Sequence, residues 1–207
     1  METNEIIDYY LEAVKLRDIQ RYGIWDKKFR NNVAEHCLML IILADKLIQH
    51  YRLNLDFKKV VRYIYLHDWG EIGMSKDICA PAKIKDRALK KEHERIVAHT
   101  SLSIFGLSKD IQIYDDLNNL KDDEARFVSA IDKLECPLFI IKHGLDNIIA
   151  SAYKSGEFKN KAFKSAQEVI DFETNYPQRA IDIYPPIKDF AEAIMERLKT
   201  QVSKISS

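Results

Sequence analysis

The stretch YIYLHDWGEIG, residues 63–73, is apolar and aromatic until it reaches His67, Asp68 and Glu71. Ionisable groups at the end of such a segment are costly to bury unless other groups in the fold pair with them. The apolar residues leading up to this point recur every three or four positions, which is the period of an amphipathic helix. The stretch therefore predicts a helix that ends in inward-facing polar groups with partners elsewhere in the chain.

The same helical period runs through most of the sequence. It predicts helices over 3–20, 33–51, 56–68, 86–105, 109–119, 122–149, 158–172 and 186–202. The six glycines and five prolines in 207 residues leave few places for the tight turns of a sandwich or barrel. The one long stretch without clear periodicity, 69–85, follows the histidine and aspartate directly, and long loops in compact domains commonly carry function. We expect one all-α domain over 1–207, with the last fifty or so residues as a helical extension.

Composition limits the classes of partner. Hydrophobic residues make up 46% of the chain, charged residues 31%, and the formal net charge is zero, which is typical of a globular protein. A neutral balance predicts neither duplex nucleic acid nor an acidic membrane as a partner. The apolar run CLMLIILA is too short to span a membrane, no secretory signal is visible, and three scattered cysteines indicate a reducing compartment. We expect a cytoplasmic protein.

Helical spacing places His36, His67, Asp68 and Asp132 on the apolar faces of three predicted helices. The apolar residues at matching offsets are Leu40, Leu43 and Leu47 for His36; Val60, Val61 and Ile64 for His67 and Asp68; and Ala125, Val128, Cys136 and Phe139 for Asp132. Two carboxylates and two imidazoles that meet in an interior can share one divalent cation. Mixed nitrogen and oxygen ligands suit Mn, Co, Zn, Fe or Ni and do not choose among them. Four protein ligands on an octahedral ion leave two positions for water and substrate, as in a catalytic site.

Each of these residues also has a simpler explanation when it is taken alone. A single inward histidine is commonly a satisfied core residue, and Asp132 could pair with Lys133 or Arg126 of its own helix. Glu71 could be a solvated loop residue, and Arg21 could pair with Asp18 or Glu12. The joint occurrence of His36, His67, Asp68 and Asp132 on inward faces of separate helices is what favours a metal site.

The order His36, His67-Asp68, Asp132 in a helical chain resembles the HD-domain metal-dependent phosphohydrolases. The segments NNVAEHCLMLIILADKL, LHDWGE, DICAPAK and DDEARFVSAIDKLE are similar to the branch that contains the bacterial 5′-deoxynucleotidases. The resemblance covers roughly residues 10–150. It implies an HD-type helical bundle on whose core the C-terminal helices of 151–207 pack, one divalent metal per chain and a homodimer. The implied activity is release of phosphate from nucleoside 5′-monophosphates, including 2′-deoxy forms.

The resemblance also implies a role for individual residues. The implied metal ligands are His36, His67, Asp68 and Asp132; the implied catalytic carboxylates are Glu71 and Asp77; and the implied substrate contacts are Arg21, Tyr22, Asp77, Ile78, Cys79 and Ala80. Arg21 would bind the phosphate, Asp77 would lie at the substrate as a candidate for proton transfer, and Ile78, Cys79 and Ala80 would line the nucleoside pocket. Tyr22 stands where the deoxynucleotidases have tryptophan, and Ala80 replaces a polar residue, so the preference for a sugar is open.

Two other functions and a second metal are alternatives. Lys76, Lys83 and Lys85 could support the longer phosphate chain of a nucleoside triphosphate or signalling nucleotide. A binding module could hold metal or nucleotide without turnover, although Glu71 and Asp77 favour catalysis. His93 and His99 could add a second metal, but at a spacing of six they face different sides of a helix.

Overall fold

The computed structural model of the chain describes residues 3–21, 31–72, 87–155 and 164–205. Its helices are α1 (Thr3–Val14), α2 (Val33–Tyr51), α3 (Phe57–Leu66), α4 (Arg87–Ile104), α5 (Ser108–Asn118), α6 (Asp123–His143), α7 (Leu145–Ser155), α8 (Ala166–Asn175), α9 (Gln178–Ile183) and α10 (Lys188–Ile205). Short 3-10 turns cover Lys15–Arg17, Trp69–Glu71 and Pro185–Ile187. The sheet within these ranges has only two strands, β1 (Gln20–Arg21) and β2 (Asn31–Asn32). The prediction of an all-α fold is confirmed.

The first predicted helix, 3–20, is too long at its C-terminal end. Helix α1 stops at Val14, and the chain passes through a 3-10 turn into β1, where Gln20 pairs with Asn32 and Arg21 with Asn31 in antiparallel register. The backbone groups of β1 form hydrogen bonds with β2, which is farther away in the sequence than the partner of any helical hydrogen bond. Sequence periodicity reports only local spacing and does not detect this pairing.

Capping residues set where the two central helices begin. Asn32 caps α2 by accepting a hydrogen bond from the Glu35 backbone N–H, and the Glu35 side chain accepts one from the Asn32 N–H in return. Helix α2 has the predicted bounds. The predicted helix 122–149 is instead two helices, α6 and α7, because Gly144 adopts a φ of 88° and ends α6.

Helix α6 is the centre of the hydrophobic core and packs against α2, α3, α5, α9 and α10. Its fully buried apolar residues include Phe127, Ile131, Leu134 and Ile140. They belong to the same core cluster as Leu40 of α2 and Ile64 of α3, which are also inaccessible to solvent. A face buried on several sides by other helices positions any polar group it carries among the side chains of its neighbours.

The C-terminal helices share this core. The Tyr184 ring lies 5.5 Å from that of Phe127 in edge-to-face contact. From α10, the Gln201 amide donates to the carbonyl oxygen of Ile141 and accepts from the backbone N–H of Leu145, so it bridges the break between α6 and α7. The helical period of the sequence did not predict α9. Helix α8 begins at Ala166, later than the start predicted at residue 158. Among the described helices, none is both long and apolar enough to cross a membrane.

Candidate metal centre

His67 and Asp68 follow the end of α3. The prediction that helix 56–68 contains both residues is wrong, since α3 ends at Leu66 and His67 is its C-terminal cap. His67 Nδ1 lies 2.5 Å from the carbonyl oxygen of Ile64 and, because a carbonyl can only accept, donates its proton there. This bond directs Nε2 of His67 into the site.

His36 comes from the first turn of α2 and is completely buried. Its Nε2 atom lies 3.1 Å from Nε2 of His67. On the other side of the ring, Nδ1 lies 3.2 Å from Oε2 of Glu135. The buried face predicted for His36 is confirmed by its companions Leu40 and Leu47.

Asp132 reaches the same point from the middle of α6. Its Oδ1 atom lies 3.2 Å from Nε2 of His36 and 3.9 Å from Nε2 of His67. Its other oxygen, Oδ2, lies 2.5 Å from the Lys133 ammonium. Burial raises the pKa of Asp132, but Lys133 and His36 lower it by more, so it stays well below its ordinary value and the side chain is ionised.

His36, His67 and Asp132 form a group whose ligand atoms all lie within 4.8 Å of one another and which could hold a metal ion. Two ligand atoms about 2.1 Å from one ion and at right angles to each other are about 3.0 Å apart. The His36–His67 and His36–Asp132 separations of 3.1 and 3.2 Å agree with such neighbouring positions. Two imidazole nitrogens this close need a cation or a shared proton between them, and with a carboxylate alongside the donor set fits a divalent metal.

Asp68, the fourth predicted ligand, lies beside this group of three. Its Oδ2 atom is 3.0 Å from Nε2 of His67 and 4.0 Å from Nε2 of His36. Burial lowers the pKa of His67, and the Asp68 carboxylate raises it by more, to well above the ordinary value. Metal binding would displace a proton from this pair, as it does from any histidine ligand.

Arg21 lies at the Asp68 and Asp132 carboxylates, not at Asp18 or Glu12. Strand β1 carries it into the site, where Nη1 is 3.0 Å from Oδ2 of Asp68 and Nη2 is 3.9 Å from Oδ1 of Asp132. The side chain is 11% exposed. A buried guanidinium beside the proposed ligands is positioned to neutralise an anion that enters the site.

Glu71 is buried, at 4% exposure, so the alternative of a solvated loop residue is wrong. It lies in the 3-10 turn Trp69–Glu71, which α4 covers closely. A Cβ at Gly70 would overlap the backbone carbonyl of Glu94, so only glycine permits this close approach. The Trp69 indole N–H donates to the Ser101 hydroxyl at 3.1 Å and attaches the turn to α4.

A cavity of about 410 Å³ opens onto the same groups. It is lined by His67, Asp68, Glu71, Lys91, Glu94, Leu117, Asn118, Leu120, Val128, Ser129, Asp132, Lys133 and Ile183. The ionisable groups come mainly from the turn after α3 and from α4 and α6, and the apolar ones from α5, α6 and α9. Such a mixed lining suits a ligand that is anionic at one end and less polar at the other.

Comparison with protein families gives a match to a family described as HD domain, over residues 13–171. The chain belongs to the HD-domain family. HD domains are generally metal-dependent phosphohydrolases, which agrees with the donor set at His36, His67 and Asp132. No curated protein and no solved structure matched the chain.

Several residues that were predicted to contact the substrate or to take part in catalysis lie outside the described residues. They are Tyr22, Asp77, Ile78, Cys79 and Ala80, together with Lys76, Lys83 and Lys85 of the triphosphate alternative. Their roles stay predictions. The two histidines of the second-metal alternative are in α4, where His93 is exposed and His99 lies 2.7 Å from Oδ1 of Asp115, and neither belongs to the metal-binding group.

The sequence analysis did not identify two charged residues beside the candidate metal ligands, Glu135 and Lys133. Glu135 lies three positions after Asp132 and therefore on the same face of α6, so the spacing that selected Asp132 could also have selected it. Lys133 was considered only as an alternative partner of Asp132; it forms that ion pair and also lines the cavity. Burial raises the pKa of Glu135, but the His36 contact lowers it by more, which keeps the carboxylate ionised.

Proposed function

We propose that this HD domain hydrolyses nucleoside 5′-monophosphates, including 2′-deoxy forms, to a nucleoside and orthophosphate. The observation that carries the proposal is the convergence of two imidazoles and a carboxylate beside a buried arginine, with His67 and Asp132 of this group lining a cavity of about 410 Å³. Pockets for small ligands span about 300–1,000 Å³, so this volume favours a single nucleotide.

His36, His67, Asp68 and Asp132 would hold one transition-metal ion, with Mn, Co, Zn, Fe and Ni all compatible with the donors. When bound, such an ion lowers the pKa of water and neutralises charge on a phosphoryl oxygen. His36, His67 and Asp132 need no large movement for this role, since their ligand atoms lie within 4.8 Å of one another, and Asp68 lies 3.0 Å from Nε2 of His67. Arg21 then exchanges its contact with Asp68 for the phosphate of the substrate, which its planar fork can bind through two hydrogen bonds.

Glu71 is the described residue best placed to handle the proton of the attacking water. It is buried, it lines the cavity, and it follows Asp68 by one 3-10 turn. The water oxygen forms a bond to phosphorus while its proton passes to a carboxylate, and the bond from phosphorus to the 5′ oxygen breaks. The leaving oxygen takes up a proton, for which Asp77 is the second proposed carboxylate.

Phosphate release from a panel of nucleotides tests the proposal. After chelation and separate addition of Mn²⁺, Co²⁺, Zn²⁺, Fe²⁺, Ni²⁺ and Mg²⁺, we expect nucleoside 5′-monophosphates to release orthophosphate and 3′-monophosphates to remain intact. Saturable binding of nucleotide without any product would contradict catalysis and support a non-catalytic module.

Asp68→Asn is expected to abolish metal-dependent turnover, because the amide neither carries the charge that favours the cation nor binds it as strongly. Asp45→Asn on the exposed side of α2 is the matched control and should retain full activity. Undiminished turnover in Asp68→Asn would refute the assignment of Asp68 as a ligand.

The second candidate is hydrolysis of a nucleoside triphosphate or signalling nucleotide at the same site. Lys91 and Lys133 line the cavity and would supply positive charge for a longer phosphate chain. Release of pyrophosphate or triphosphate, measured in place of orthophosphate, would favour this candidate over the first.

A further inference from the structure

Glu135 is a buried carboxylate that the proposed chemistry does not use. It lies on α6, is 7% exposed, and its Oε2 atom is 3.2 Å from Nδ1 of His36. Its other oxygen accepts a hydrogen bond of 3.4 Å from the amide of Asn31, which is itself buried in strand β2. A carboxylate is costly in such a place unless its partners require it.

The contact with His36 has hydrogen-bond length, although the ring N–H does not point straight at the oxygen. Catalytic hydrogen bonds are often long or poorly aligned without ligands and tighten when the ligand binds. Within the described ranges Nδ1 forms no hydrogen bond to any other group, and Glu135 is the carboxylate within 4.0 Å of it. Glu135 is therefore the acceptor available to that nitrogen.

We infer that Glu135, held by Asn31, is a positioning residue that keeps the proton of His36 on Nδ1 and so presents the lone pair of Nε2 to the metal. The inference rests on the metal site of the proposed function, and it concerns metal affinity, whatever the substrate. A metal-binding histidine commonly donates its second ring nitrogen to a carboxylate, which selects the tautomer and makes the ligand more basic. His67 uses a backbone carbonyl, that of Ile64, for the same purpose.

The two histidines differ in the kind of group that accepts the hydrogen bond from Nδ1. The Ile64 carbonyl is part of α3 and cannot be removed by substitution, whereas the acceptor of His36 is a side chain anchored from β2. The β1–β2 strand pair therefore contacts the site at two points. Arg21 lies at the carboxylates, and Asn31 donates a hydrogen bond to Glu135.

Titration with Co²⁺ followed by visible absorption, on the full chain after chelation, tests the inference without any substrate. Loss of the supporting carboxylate of a metal-binding histidine typically weakens binding by about 10–100-fold, and we expect a loss of that size for Glu135→Ala. Glu135→Gln should keep most of the affinity, because its amide oxygen can accept from His36 while its NH₂ group donates to a reoriented Asn31. The double variant Asn31→Leu/Glu135→Gln should lose that rescue.

Glu173→Gln is the matched control. Glu173 is equally buried, at 4% exposure, and it approaches α6 at Cys136, with no contact to His36. We expect Glu173→Gln to bind Co²⁺ like the parent chain even if its thermal unfolding temperature falls.

A spectroscopic measurement separates positioning from loss of structure. In the Zn²⁺-loaded chain we expect the Nδ1 proton of His36 to give a slowly exchanging NMR signal, which Glu135→Gln retains and Glu135→Ala loses. Equal Co²⁺ affinity in Glu135→Ala and the parent, or no rescue by Glu135→Gln, would overturn the inference. If Glu135→Ala does not fold, Glu135→Gln against the double variant still decides it. Parent chain that binds metal but releases no phosphate would contradict the proposed function alone.

Discussion

The two ring nitrogens of His36 have different partners, and the same is true of His67. In each ring Nδ1 faces an oxygen of the protein, Glu135 for His36 and the Ile64 carbonyl for His67, while the two Nε2 atoms face each other across 3.1 Å. Mutual repulsion of two lone pairs at this distance is relieved by a positive charge between them. A proton shared by the two rings or a metal ion between them supplies this charge, so the two imidazoles favour a positive charge at this point before any substrate is considered.

Arg21 contacts Asp68 and is proposed to bind the phosphate of the substrate, and experiment can separate these two roles. In Arg21→Gln we expect kcat/KM for a nucleoside monophosphate to fall by about 10–100-fold, since a hydrogen bond to a charged group contributes about 1.5–3 kcal/mol. Co²⁺ affinity should be unchanged or higher, because the substitution removes a positive charge 3.0 Å from Asp68. Steady-state kinetics and Co²⁺ titration give the two quantities.

Arg17→Gln is the control for that substitution, as Arg17 is exposed on the 3-10 turn before β1. Its kinetics should match those of the parent chain. A marked loss of Co²⁺ affinity in Arg21→Gln would show that Arg21 holds the ligands in place and does not serve the substrate.

At the scale of elements, Asp122 attaches α6 to α3. It accepts from the Ala125 backbone N–H at 2.9 Å as the N-cap of α6, and from the Tyr63 hydroxyl at 2.9 Å. The Lys59 ammonium lies 2.7 Å from the same carboxylate. Because α6 carries Asp132 and His67 caps the end of α3, this junction sets how two candidate metal ligands approach each other.

Asp122→Ala should lower the free energy of unfolding by about 2–4 kcal/mol. The loss combines a helix cap, about 0.5–2 kcal/mol, with a buried Tyr63 hydroxyl left without its acceptor, about 1–3 kcal/mol. Urea unfolding measures it. Asp123→Ala is the control, since Asp123 is exposed and pairs only with Arg126 among the described residues, and it should change stability by about 0.5 kcal/mol or less.

Ionisation of the Asp122 carboxylate at the same junction predicts that the free energy of unfolding depends on pH. Burial raises the pKa of Asp122, but hydrogen bonds from Lys59, Ala125 and Tyr63 lower it by more, to below its ordinary value. The carboxylate therefore contributes stability above the unfolded pKa of about 3.9, and that contribution is lost as the pH falls through the lower, folded pKa. The stability difference between parent and Asp122→Asn should shrink from pH 6 to pH 3, and a constant difference would contradict this account.

At the scale of the whole molecule, the C-terminal helices share one core with the helices that carry the candidate metal ligands. Ile187, Ile194 and Leu198 are buried in the same cluster as Leu40, Ile64 and Ile131. A shared core predicts that residues 164–205 and the helices of the site unfold together, as one cooperative unit.

Leu198→Ala tests this at a position far from the metal site. We expect a loss of about 2–5 kcal/mol, typical of a buried leucine reduced to alanine, with coincident transitions by far-UV circular dichroism and by tryptophan fluorescence. Leu89→Ala on the exposed side of α4 should have almost no effect, since Leu89 is 74% exposed. Two separate transitions in the parent chain would show that the C-terminal helices are an independent appendage.

Much of the fold could be predicted from the sequence because helix formation and burial leave a local signal. The period of apolar residues predicted the bounds of α2 to the residue and the buried face on which His36 lies. It also predicted an all-α chain, and the order of the metal-type residues indicated the HD family. These properties depend on neighbours within one or two helical turns.

What only the tertiary structure decided is which inward-facing groups meet. Helical spacing could not place Arg21, because a two-residue strand pairs across a gap in the sequence and turns it toward Asp68. The same limit hid the contact between Glu135 and His36, which lie 99 positions apart on different helices. Periodicity tells which side of a helix is buried, whereas the partner on that side depends on how the helices cross and where their caps stop them.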